Sequence, residues 1–422
     1  MISRKFFPFI FVLMIAGFPG FSFTFCMAGT KGYVKTTGYY FTQGLQDKER
    51  MDMEINLETS FSLYDSGKGF FSYKLYADDL LGKSSRNSLS LDEAYLDIYT
   101  QNSDIRIGKQ YIFWGKTTGV DTPTNNINPW DLSRIKPDPE QQRIAVGAIK
   151  VDYFRGYDLA FEGVWIPDIT FSKLPSFTLP TGVAIGEEKY PQSELKNTSY
   201  GLKIDKFGSK VDFSLSYLYT WDSFPDYNID LSAFPFITLV PVHHRVSIYG
   251  TSFATGIGET DIKGEAAYFQ TEDTSGSSIY IKNPYLKYLL EVGYSLTDNL
   301  DIIVQFSGKK IFNFKSPDQY AGIPPELAEQ FSFLYGEQRE WQNSLTTHLT
   351  YKTWYDRLKL EFLGTYNLTL EDYMLSPQLS YEVGKGFDFG AGAMIFEGKP
   401  GTQFGTMDNE DFIWCDISYS FS

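Results

Sequence analysis

Apolar and polar residues alternate with a period of two along most of this chain. In the stretch 51–64, Met51, Met53, Ile55, Leu57, Phe61 and Leu63 fall on one face, and Asp52, Glu54, Asn56, Glu58, Ser60 and Ser62 on the other. A strand alternates in this way when one face meets apolar surroundings and the other meets water. Few soluble strands run so long. The clearest case is 210–221, where Val211, Phe213, Leu215, Tyr217, Tyr219 and Trp221 alternate with Lys210, Asp212, Ser214, Ser216 and Thr220. In 88–99 the phase slips between Leu91 and Ala94, which predicts a bulge that leaves Glu93 and Asp97 on the polar face.

The pattern recurs at 32–41, 70–78, from 105 to about 113, and at 143–153, 157–166, 199–206, 245–254, 261–270, 285–296, 300–311, 341–354, 358–367, 372–383, 387–396 and 412–421. The count is eighteen strands, and sixteen would survive an error at one hairpin. The links alternate too. Short ones fall at 65–67, 100–103, 154–156, 207–209, 255–260, 297–299, 355–357 and 384–386, with longer ones between them, notably 113–142, 167–198, 222–243 and 312–340. Outer-membrane barrels place short turns on the periplasmic side and long loops outside, whereas a Greek-key sandwich has no reason to keep that parity. The expected fold is therefore all-β: a transmembrane antiparallel outer-membrane β-barrel with both termini facing the periplasm.

Composition changes the picture little. Aromatic residues make up 17%, with 30 Tyr and 36 Phe, while mean hydropathy is slightly polar at −0.25. That combination arises when each strand gives half its residues to water and half to lipid. Residues 1–28 read as a signal peptide for Sec export: Arg4 and Lys5, an apolar run over 6–18, and a cleavage site at Cys26-Met27-Ala28. Phe25 before Cys26 departs from the lipoprotein motif. Beyond that segment no apolar run is long enough for a membrane-crossing helix. Cleavage leaves Cys415 without an internal disulfide partner and takes the net charge from −15 to −17, which argues against nucleic acid as a partner. Residues 29–422, without a linker or repeat, are expected to form a single barrel domain in a Gram-negative outer membrane.

One stretch stands apart from the alternation. After Trp114-Gly115 it gives way to Thr, Asn, Asp and Pro, which favour loops and turns. Too polar for lipid, the loop 113–142 is expected to fold into the lumen and narrow it. The candidate constriction residues are Arg106, Lys109, Trp114, Asp121, Asn125, Asn126, Asn128, Trp130, Asp131 and Arg134. Trp114 and Trp130 would anchor the loop, and the three asparagines would line the narrowing. Lys109 falls on the apolar parity, so a bulge at Gly108 is expected to turn it inward. The candidate wall residues are Glu93, Asp97, Lys150, Lys203, Arg245, Lys263, Glu265, Lys287 and His348, part of a mixed lattice of inward charges in which acids outnumber bases. Such charges do not face lipid.

Other chemistry finds little support. His243 and His244 are adjacent and would point to opposite faces of a strand, so no shared metal site and no cofactor is expected. His348 falls among the inward residues Gln342, Ser344 and Thr346, but no nucleophile signature accompanies it. No enzyme activity is expected, and a barrel hydrolase is the least favoured alternative.

Gly108-Lys109-Gln110, Trp114-Gly115 and Asn128-Pro129-Trp130-Asp131-Leu132, preceded by Glu93-Ala94-Tyr95, resemble the motifs of a proteobacterial, porin-like outer-membrane barrel family, domain of unknown function 1302. Its members show the order G-[KR]-Q, W-G and N-P-x-D-L after an E-A-Y segment. The resemblance implies a barrel fold and an outer-membrane location and brings no substrate. The final strand alternates towards Phe421, resembling the signal read by the bacterial barrel-assembly machinery, although Ser422 follows it. The expected function is a porin-like channel passing small solutes passively, as monomer or homo-trimer, with outer-membrane lipid, lipopolysaccharide and the assembly machinery as partners. The alternatives are an export or conduit barrel working with a periplasmic or electron-transfer partner, and a hydrophobic-substrate transporter.

Overall fold

The computed structural model describes residues 26–27, 29–42, 49–63, 66–80, 86–119, 122–133, 136–137, 139–174, 182–230, 232, 236–320 and 325–422. A closed ring is built from β1 Lys31–Phe41, β2 Glu49–Ser62, β3 Gly67–Asp78, β4 Arg86–Tyr99, β5 Ser103–Gln110, β6 Val146–Arg155, β7 Leu159–Ile166, β8 Ser199–Lys206, β9 Val211–Trp221, β10 Arg245–Ile257, β11 Thr260–Thr271, β12 Tyr285–Thr297, β13 Leu300–Ile311, β14 Trp341–Thr353, β15 Leu358–Asn367, β16 Asp372–Gly384, β17 Phe387–Glu397 and β18 Phe412–Phe421. Each strand pairs antiparallel with its successor, and β1 pairs with β18 from Gly32↔Phe421 to Phe41↔Phe412. Among the described residues, closure leaves the ring itself without an edge strand. Cys26–Met27 adds a two-residue pairing to the end of β2.

The outer face is apolar where side chains alternate outward. Leu57, Leu75, Leu215, Val292, Val304, Leu345 and Ile417 are all exposed, as a belt meeting lipid requires. Aromatic girdles flank the belt. Tyr40, Trp165, Tyr200, Tyr249, Trp341 and Tyr366 lie near the long-loop end, and Tyr99, Tyr153, Phe207, Tyr351, Phe387 and Tyr419 near the short-turn end.

The expected slip in β4 is present: Ser72 pairs with Glu93 and Tyr73 with Leu91, so Asp92 is the extra residue. At Gly108 the expectation fails. The ladder runs unbroken through Tyr95↔Gly108 and Gly108↔Ala148. The backbone adapts instead through a φ of 135°, a value that glycine tolerates. Beside it, the Lys109 ammonium donates to the Leu91 carbonyl.

The strand from 105 stops at Gln110 rather than 113. Its next amides are taken by side chains: Tyr111 N donates to Glu93 (3.1 Å), Ile112 N to Asn128 (2.7 Å), and Trp114 N to Asn125 (2.7 Å). Those bonds peel the chain away from the wall.

The long loops carry structure that alternation does not signal. Val183–Ile185, Asp226–Asp230 and Ile237–Val242 form a separate three-stranded sheet, and Pro325–Leu334 is a helix. Tyr227 and Leu239 of that sheet pack with Ile279, Ala328, Phe331 and Tyr335 into a small core of their own. The described parts of the loops 167–198, 222–244, 272–284 and 312–340 thus pack together as a cap at the long-loop end.

Candidate functional site

The segment after β5 lies inside the barrel, held by inward side chains of the far wall. Trp114 is buried, and its indole Nε1 donates to Glu162 of β7 at 2.7 Å. Lys116 N, Thr117 N and the Thr117 hydroxyl all donate to Oε1 of Glu265 on β11, at 2.6, 2.8 and 2.8 Å. Thr124 gives its amide and hydroxyl to Oε2 of the same carboxylate, at 3.2 and 2.6 Å. Thr118 donates twice to Glu291 of β12, and Gln305 of β13 bridges the Thr118 carbonyl and Glu291, both at 2.7 Å. Lys263 completes the group, 2.9 Å from Glu291. A buried carboxylate needs such donors to offset its lost hydration, so the bonds fix the loop to the wall.

Apolar contact adds to the polar clasp. Ile112, Trp114 and Ile127 pack on Val146, Ala148, Val164, Ile166, Leu218, Val246, Ile248, Ala267 and Phe269, which face inward from five strands. Two glycines allow the close approach. A Cβ on Gly201 of β8 would lie 2.6 Å from the Trp114 ring, and one on Gly115 would lie 2.4 Å from Thr122 and 2.9 Å from Glu265.

The asparagines do other work than lining a narrowing. Asn125 Oδ1 accepts from Trp114 N and Gly115 N, and Asn126 donates to the Pro123 carbonyl. Asn128, 2% exposed, accepts from Ile112 N and donates to the Gln110 and Ile144 carbonyls. They brace the loop's own backbone. Trp130 lies under the Arg143 guanidinium at 3.5 Å and takes a bond from its own amide to Ser172 Oγ. Asp131 pairs with Lys173 at 2.7 Å. This end of the loop is therefore tied to the loop 167–198. Asp121 and Arg134 lie outside the described residues.

Most of the expected wall charges face inward in pairs. Arg106 grips Asp97 with two bonds, at 2.6 and 3.0 Å. Lys150 pairs with Asp152 (2.8 Å), Lys203 with Asp205 (3.0 Å), and His348 lies 3.6 Å from Glu361. Lys287 lies across the ladder from Lys309. Glu93 accepts the Tyr111 amide.

Arg245 is misplaced by the sequence reading. It lies opposite Trp221 on the outer face, its guanidinium 4.3 Å from the Trp221 ring centre and 4.8 Å from that of Tyr219. The inward residues at the start of β10 are Val246 and Ile248, apolar because they receive the loop, so polarity inverts the faces there, whereas the inward Ser252 further along is polar. Thr117, Thr118, Thr124 and Gln305 were missed, although three threonines facing a wall known to be acidic offered a signal.

The fold is similar to that of Pseudomonas aeruginosa OccK8 (OprE), with a TM-score of 0.54, 10% identity, and coverage of 93% of this chain and 98% of that one. It is also similar to a loop-deletion mutant of OmpT, an outer membrane protein of Vibrio cholerae (TM-score 0.46, 8% identity, 94% and 99% covered). A mutant Rh. blastica porin aligns with a TM-score of 0.42, 12% identity, and 93% and 99% covered. No curated protein sequence matches the chain. The profile of the family described as Protein of unknown function (DUF1302) matches residues 33–421, nearly the whole barrel, and the chain belongs to that family.

Proposed function

We propose that the protein is a porin-like channel of the outer membrane, passing small solutes passively through a bore narrowed by the loop 113–142. The observation that carries this reading is the clasp of Thr117, Thr118 and Thr124 on Glu265 and Glu291, which sets a loop inside a barrel whose outer belt suits lipid. Residues 1–28 would direct export, the short turns would face the periplasm, and outer-membrane lipid and lipopolysaccharide would surround the belt. No chemical step is part of the proposal. Single-channel currents of the refolded protein in planar bilayers test it: deletion of residues 118–134 should raise conductance, and an unchanged conductance would count against the loop as the constriction.

A second reading, passage of apolar substrates, draws on a lumenal cluster of Tyr39, Phe41, Met394, Phe396, Phe412 and Trp414. Uptake of a hydrophobic dye into liposomes separates the two.

A further inference from the structure

Between the loops 167–198 and 222–244 lies a cavity of about 700 Å³, within the size range of small-molecule sites. Phe171 and Tyr190 form one side, their rings 5.3 Å apart, and Tyr190 is 59% exposed. His243 is buried behind them, its ring centre 3.8 Å from that of Phe171. One nitrogen of His243 contacts the Asp222 carbonyl and the other contacts Glu188, which also accepts from the Tyr190 hydroxyl at 2.6 Å. The aromatic wall is therefore braced from behind.

The charges at the cavity are unequal. Asp168, Glu188 and Glu194 line it against one ammonium, Lys173, which Asp131 already holds at 2.7 Å. Glu194 shares Lys196 at the surface, and Asp168 accepts from the Ser193 hydroxyl. An anion would meet this acidic rim unfavourably, whereas a cation gains from both the carboxylates and the face of the exposed Tyr190 ring, beside the half-buried Phe171.

We propose that this pocket binds an organic cation with an apolar body, held against Tyr190 and Phe171 with its charge towards Asp168 and Glu188. It deepens the channel reading and rests on it for the purpose of the binding: Ser172 and Lys173 border the pocket and bond Trp130 and Asp131 of the constriction loop, so the site adjoins the mouth.

The test is calorimetric titration of the refolded full chain with benzyltrimethylammonium, 3-phenylpropan-1-ol and 3-phenylpropanoate. The cation should bind, and the neutral and anionic probes should give no saturable heat. Tyr190→Ala should weaken cation binding about tenfold, Tyr190→Phe should retain it, and Asp168→Asn should weaken it about threefold. Gel migration with and without heating confirms that each variant is folded. Equal binding of all three probes, no binding of the cation, or an unaltered Kd in folded Tyr190→Ala would each overturn the proposal. Conductance is measured separately without probe: currents without cation binding sink this inference alone, and cation binding without currents sinks the channel reading alone.

Discussion

Glu265 lies 148 positions beyond Thr117, yet its carboxylate receives both the amide and the hydroxyl of that residue at 2.8 Å. With Lys116 and Thr124 on the same group, one wall residue holds two separate parts of the loop. Glu265→Ala should cost the docked loop about 3 kcal/mol or more, since several charge-assisted bonds go at once. The expected results are a larger single-channel conductance and new tryptic cleavage after Lys116. Glu265→Gln, which keeps acceptor capacity on one oxygen, should fall between.

Trp114 couples burial to a single polar bond. Its replacement by alanine empties a packed site and strips the donor from Glu162, so Trp114→Ala should lower stability by about 3–5 kcal/mol. Urea unfolding from bilayers or micelles measures it. A loss below 1 kcal/mol, on the order of a surface change, would mean that the loop adds little to the barrel's stability.

The two faces of β14 make a paired test. Leu345, 40% exposed, faces outward between Phe306 and Tyr366, just inside the long-loop girdle, and Leu345→Lys should cost about 1–2 kcal/mol, between the interfacial and midplane costs. Thr350 lies between Asp301 and Glu361 on the lumenal side, where a lysine meets water and carboxylates. Thr350→Lys should refold like the parent, and equal losses at both positions would reverse the face assignment.

The cap should respond to pH through His244. Its hydrogen bond to Asp226, at 2.7 Å, raises the imidazole above its ordinary value despite partial burial. A histidine with a raised folded value stabilises fully below the unfolded value near 6.5, and the contribution fades as pH rises through the higher folded value. Proteolysis of the 222–244 loop should therefore be slower at pH 5.5, below the unfolded value, than at pH 8.5, well above it, and His244→Gln should flatten the difference. An equal difference in that variant would place the pH dependence elsewhere.

The wall strands were legible because a membrane imposes a period of two along most of their length, broken at points such as Asp92 of β4. Leu57 beside Glu58, or Leu215 beside Ser216, cannot exchange faces without placing a charge or a hydroxyl in lipid. The rule weakens where the lumen is dry. At β10 the loop's own side chains make the inner face apolar, so Arg245 was read to the wrong side of Val246. Loop interiors were less legible still. Asn128 bonds to backbone at Gln110, Ile112 and Ile144, contacts set by the path of the chain rather than by any periodicity. The cap sheet and its helix follow no membrane constraint, and their strands of three to six residues are too short to carry a pattern.

The pairing of β1 with β18 has a consequence for how the chain can be cut. Gly32 stands opposite Phe421, so the two ends of the barrel sequence meet on the short-turn side and the sheet itself has no first strand. A circular permutant, joined from Phe421 to Gly32 and opened in the link 298–299, would contain the same ring of hydrogen bonds. It would differ in where the covalent chain is interrupted, between β12, ending at Thr297, and β13, starting at Leu300. Such a chain separates two things that the natural order combines: the ring of strand pairs that seals the cylinder, and the order in which those strands are joined.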